Sequence, residues 1–177
     1  IIEGPLHKGL YKKIEDLIAR NPADSAWSLA LTTTSKQRSK CSQSLVLKWL
    51  RLNVRNPEAY VSCHILLAKS PEIIEAVFDW VRRGGRTGDD LTSSLSYLVP
   101  AAAKYHRSIL PGVLKVARAW MKKNPDHEAA GRVYAAVLSA SGSKLDIGRA
   151  KQWYQEHRTS DDAWYVVSDI LDREIGR

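Results

Sequence analysis

Apolar residues recur every three or four positions along this chain, and no convincing run alternates at period two. Leu6, Leu10, Ile14, Leu17 and Ile18 share one face and predict an opening helix ending near Asn21-Pro22, because the residue before proline is pushed out of helical backbone. Asp24 or Ser25 is placed to cap a helix from Ala26 to Ser35, after which a Ser-rich, basic loop follows. Ser44–Leu52 and Ala59–Lys69 form the next pair around Asn56-Pro57. Ser70-Pro71-Glu72 starts a helix filled by Ile73, Ile74, Val77, Phe78, Trp80 and Val81, with proline in the first turn where its missing amide costs nothing. Arg82-Arg83-Gly84-Gly85-Arg86-Thr87-Gly88 stops it. Leu91–Tyr97 begins a further helix, and Pro100 predicts a kink or a break before 101–106. Val113–Lys123, Glu128–Ser139, Asp146–His157 and Asp162–Glu174 complete an all-α chain.

The pattern repeats. VARAWMKKNPDHEAAGRVYAAVL, around Trp120 and Asn124-Pro125, is echoed by LVLKWLRLNVRNPEAYVSCHILL around Trp49 and by AKQWYQEHRTSDDAWYVVSDIL around Trp153. EAVFDWVRR repeats the first half around Trp80, and NPADSAWSLAL the second half around Trp27. Trp49, Trp80, Trp120 and Trp153 are spaced 31, 40 and 33 residues apart, which is the signature of helical hairpins stacked on their neighbours. These four Trp are expected to be equivalent and buried between hairpins, in one helical-repeat domain over 1–177 of four to five hairpins. The pattern runs through both ends, so the chain is expected to be part of a longer one, with Val166, Val167, Ile170 and Leu171 on a face to be covered by a following helix of the parent chain or, alternatively, by end-to-end self-association.

DSAWSLAL, PEAYVSCHILL and SDDAWYVVSDILDREIG begin the second-half helices, while EAVFDW and RAKQWY carry Ala76 four before Trp80 and Ala150 four before Tyr154. An Ala-aromatic pair after a proline, then an Ala followed at four by an aromatic, resembles the tetratricopeptide repeat. Trp164, Val167, Ser168 and Leu171 stand at the family's first-helix signature positions, and Ala150 and Tyr154 at its second-helix positions. The Leu-Gly pair is absent from every unit, replaced by Ala30-Leu31, Cys63-His64 and Val167-Ser168, and the hairpin lengths vary. Other α-solenoids such as HEAT-like arrays share this general style. The resemblance implies a right-handed superhelix of antiparallel hairpins acting as a scaffold or sensor module for a protein or peptide partner. The concave face implied would present Ser28, Thr32, Val61, Ile65, Arg132, Tyr165 and Asp169.

Composition changes this picture in one respect. A formal net charge of +8, concentrated before Gly88, permits contact with nucleic acid or an anionic surface. Arg51 and Arg55 follow Trp49, Arg82 and Arg83 follow Trp80, and Lys122 and Lys123 follow Trp120. With Lys36, Arg38 and Lys40 they would form a basic ridge if the hairpins stack in register, the basis of an alternative reading as a nucleic-acid-binding solenoid. Helix dipoles alone also draw cations to carboxyl ends. Enzymatic chemistry finds no footing: the sequence has no H-E-x-x-H, paired C-x-x-C or G-x-S-x-G, and the glycine-rich loop 84–88 lacks the strand and the Lys-Ser/Thr of a phosphate cradle. His7, His64, His106, His127 and His157 are too scattered to share a metal, and no cofactor is expected. Asp161-Asp162 is expected to cap a helix. Two cysteines, Cys41 and Cys63, suggest reduced thiols and a cytoplasmic setting. No stretch approaches the roughly 18 apolar residues of a membrane span.

Overall fold

In the computed structural model the described residues are 8–22, 24, 27, 31, 40–53, 70–84 and 89–175. Among them every regular element is an α-helix, and no helix is long and apolar enough to cross a membrane. The expected helices 26–35 and 59–69 fall almost wholly outside the described residues, as do the 85–88 loop, Ser28, Thr32, Val61, Ile65, Lys36, Arg38 and Arg55. The chain divides into two compact units, Ile1–Gly84 and Gly85–Arg177.

The first unit contains α1 (Lys8–Arg20), α2 (Lys40–Leu52) and α3 (Pro71–Gly84). Helix α2 packs against both of the others, burying Leu45, Val46, Trp49 and Leu50. A Lys48–Glu15 ion pair at 2.8 Å also joins α2 to α1. The start of α3 is built as its sequence suggests. The Ser70 carbonyl accepts from the Ile73 and Ile74 amides, and its hydroxyl donates to Glu72 at 2.7 Å. Ile73, Ile74, Val77, Trp80 and Val81 lie at helical spacing and are all buried.

The second unit contains α4 (Asp89–Tyr105), α5 (Leu110–Lys123), α6 (Ala130–Ser141), α7 (Lys144–Glu156) and α8 (Ala163–Ile175). Helix α6 is the hub, packing on each of the other four. That explains its composition: AGRVYAAVLSAS has Ala or Gly at five of its positions, and small residues let helices approach from several sides. The closest approach is at Gly131, where a Cβ would lie 2.6 Å from the Asp162 carbonyl and 2.9 Å from the Trp153 ring. Helix α6 ends in left-handed backbone at Gly142, φ 61°, a conformation glycine adopts without penalty. The Arg173 guanidinium reaches back from α8 to the Leu138 carbonyl at this same end.

Two expectations need correction. Pro100 neither breaks nor ends its helix, since α4 runs unbroken from Asp89 to Tyr105. The ring is exposed, while Leu95, Leu98, Val99 and Ala102 on the opposite side are buried, so packing holds the helix through the proline. The register of α8 also differs from the tetratricopeptide alignment. Trp164 is 60% exposed and Leu171 47%, whereas Ala163 and Val166 are buried. Of the apolar face expected to await a following helix, Val166 is already buried, Val167 and Ile170 are half-buried, and Leu171 is exposed as expected. The face of α8 that meets α6 and α7 starts one residue earlier than the resemblance placed it.

Candidate functional site

Trp49, Trp80, Trp120 and Trp153 are all buried, none more than 6% exposed, and three of them close their helices in the same way. The carbonyl of Trp49 accepts from both the backbone and side-chain amides of Asn53. The carbonyl of Trp120 accepts from both amides of Asn124. At Trp153 the partners are the His157 amide and its Nδ1, 2.9 Å away. Two of these indoles also reach back to the preceding proline turn. Trp49 donates to the Pro22 carbonyl at 3.0 Å, and Trp153 to the Pro125 carbonyl at 2.7 Å. The sequence signal is Trp-x-x-x-Asn/His; the helix-ending residue equivalent to Asn124 is Asn53, three before the Asn56-Pro57 that the repeat alignment pairs with Asn124-Pro125.

A second tie, not anticipated from sequence, spans alternate helices of the second unit. Arg118 on α5 grips Asp146 at the start of α7 with two bonds, 3.0 and 2.6 Å. Ser141 and Ser143 each donate to the same carboxylate at 2.6 Å, and Ser143 caps α7 by accepting from the Asp146 amide. Burial pushes the Asp146 carboxyl up, but these charged and hydroxyl donors outweigh it and hold the group at about 2. Arg132 on α6 binds Asp162 ahead of α8 at 3.0 Å. Asp162 was expected to cap α8, yet its buried side chain is turned to Arg132, and only its backbone carbonyl accepts from Tyr165.

This Arg132–Asp162 pair fixes one wall of a cavity of about 310 Å³ formed by α4, α6 and α8. Ala135 and Ala136 line it with Ser139 on α6, Tyr97 and Pro100 come from α4, and Tyr165 and Asp169 from α8. The Arg132 guanidinium sits 5.7 Å from the Tyr165 ring centre, within range of cation–π attraction. Trp164 leans on the same ring, centroids 4.0 Å apart. Burial raises the Asp169 carboxyl, opposed by Arg173 and reinforced by Asp172. Of the residues expected on a concave face, Arg132, Tyr165 and Asp169 thus meet in one place. Tyr97 and Pro100 join them, although a kink or break expected at Pro100 gives no sign that one helix, α4, carries both past α6.

No protein-family model, curated protein or solved structure matches the chain. The cavity must therefore be interpreted from its own chemistry.

The basic residues divide. Arg82 and Arg83 both turn onto Asp79, at 3.2 and 3.8 Å, and Arg51 and Arg83 share a hollow of about 410 Å³ with Glu72, Glu75 and Asp79. Lys122 lines a larger groove of about 550 Å³ between α5 and α7, together with Arg118 and Arg149. Lys123 is exposed at the end of α5, and Lys40 is described only as the first residue of α2. His127 and His157 lie beside Trp120 and Trp153, at 5.4 and 4.7 Å between ring centres. Among the described residues no three His, Cys, Asp or Glu side chains are grouped to hold a metal.

Proposed function

We propose that this chain is a helical-repeat interaction module, of tetratricopeptide-like hairpin style, whose second unit holds a peptide segment of a protein partner in the α4–α6–α8 cavity. The observation that carries this reading is the convergence of Arg132, Tyr165 and Asp169 with Tyr97 and Pro100 around an alanine floor. Ligand sites combine apolar and aromatic walls with a few placed polar groups, in volumes of roughly 300–1,000 Å³, and this cavity sits at the small end, suited to one or two side chains. Arg132 is held in place by Asp162 before any ligand arrives, which reduces the ordering cost of binding. The tyrosines supply rigid contact area at low entropy cost. Binding is the function proposed, on the strength of this convergence of aromatic, cationic and apolar groups.

The test is selection of peptides from a random displayed library on the chain, followed by titration against Arg132→Ala and Tyr165→Ala. Selected peptides should bind the parent and lose about tenfold or more with either variant, the scale of a hot-spot truncation. Peptides that bind both variants like the parent would place the partner elsewhere.

A further inference from the structure

The groove between α5 and α7 lies apart from that cavity and combines two features that point to one kind of occupant. Its apolar part is built by Met121, Pro125 and Trp153, the last already tied to the Pro125 carbonyl. Its cations are unequal. Arg118 is committed to Asp146, whereas Lys122 and Arg149 line the groove with no carboxylate in ion-pair range among the described residues. The helix dipole accounts for Lys122 in the last turn of α5. It does not account for Arg149, which sits mid-way along α7. Helix α5 also carries no acidic residue at all. The one carboxylate lining the groove, Glu156, accepts from Gln152 at 3.0 Å.

From this geometry we infer a second binding site, in which the α5–α7 groove takes an acidic peptide segment bearing an apolar anchor. Carboxylates of the segment pair with Lys122 and Arg149 while the anchor enters the space beside Met121 and Pro125. Charge complementarity selects the sign of the partner. The lining favours a peptide over a nucleic acid, because the groove's aromatic residues, Tyr134 and Trp153, are buried and Trp153 is stacked on by Tyr134 and His157, so neither offers an open face for base stacking.

The experiment is a fluorescence-anisotropy titration of the full chain with three labelled probes at low salt. They are a twelve-residue peptide of alternating Glu and Leu, the same peptide with Ser at every Leu, and an oligothymidine of equal charge. The Glu-Leu peptide should bind best, and the Ser version should bind weaker by about tenfold or more, the scale of losing a buried apolar anchor. Lys122→Glu with Arg149→Glu should abolish most of that binding while Arg82→Glu with Arg83→Glu leaves it intact. Both replaced pairs are exposed, and thermal melts confirm that the variants remain folded. Equal binding of the Glu-Leu and Glu-Ser peptides, preference for the oligothymidine, or retention by a folded Lys122→Glu/Arg149→Glu chain would each overturn the inference.

Discussion

Trp49 in the first unit and Trp153 in the second occupy the same corner, and their surroundings differ. In both, an indole N–H ties a helix to the proline turn some 27 or 28 residues earlier, and a residue four further on closes the helix on the Trp carbonyl. The corner of the first unit is neutral and doubly secured, since Asn53 also donates to Pro22 at 2.8 Å. In the second unit Trp153 is the donor recorded on Pro125, while His157 stacks on the indole and meets Asp126 at 3.2 Å. The hollow beside α2 and α3 mixes both signs of charge. The second unit has instead the aromatic cavity and a groove in which Lys122 and Arg149 meet no carboxylate among the described residues. A repeated corner maintains packing, and under the proposed reading the residues that vary around it set what the second unit binds.

The largest effects should come from emptying the corners. Trp49→Ala and Trp153→Ala should each cost about 3–5 kcal/mol in denaturant melts, the range for deleting a buried aromatic. Near-parental stability in either variant would mean the two corners are not equivalent.

Breaking the Arg118–Asp146 tie should cost less, because Arg118 keeps 34% of its side chain exposed. Asp146→Asn should lose about 2–3 kcal/mol, discounted from the value for a fully buried pair. The tie also carries a pH signature. The folded carboxyl lies at about 2, below its ordinary 3.8, so its stabilisation is complete above pH 4 and disappears as pH falls through 2. Over that window the parent should lose roughly 2 kcal/mol more than Asp146→Asn. Parallel acid limbs for the two proteins would remove Asp146 from the account.

Gly131→Ala should destabilise by about 1–3 kcal/mol, since its methyl would press on the Asp162 backbone rather than on a flexible side chain. Gly148→Ala, where a Cβ meets nothing within 4 Å, is the control and should be neutral or stabilising.

The finest comparison uses phenylalanine. Trp153→Phe leaves the Pro125 carbonyl without its indole donor, whereas after Trp49→Phe the Pro22 carbonyl still has Asn53. Trp153→Phe should therefore be the costlier by about 1 kcal/mol, the net worth of one hydrogen bond. The reverse order would show that ring volume, not the bond, governs both corners.

Much of the helical frame could be read from periodicity, because buried faces such as Ile73, Ile74, Val77 and Trp80 repeat at helical spacing. The four Trp were marked as core by their shared place ahead of a break, and they are buried. What escaped was three-dimensional pairing. Arg118 with Asp146 and Arg132 with Asp162 lie about thirty residues apart, and no local pattern marks which Arg meets which Asp. Pro100 argues locally for a kink or a break, and α4 nevertheless continues through it with its opposite face packed. The register of α8 turned on one residue, which is enough to put Trp164 outside and Ala163 inside.

The central claim, that the second unit binds peptide between α4, α6 and α8, is tested most directly by amide chemical-shift mapping with a library-selected peptide. The account predicts shifts concentrated at Tyr97, Arg132, Ala135, Tyr165 and Asp169, with the α2–α3 hollow undisturbed. Shifts confined to Arg51, Glu75 and Arg83, or to the α5–α7 groove alone, would contradict it.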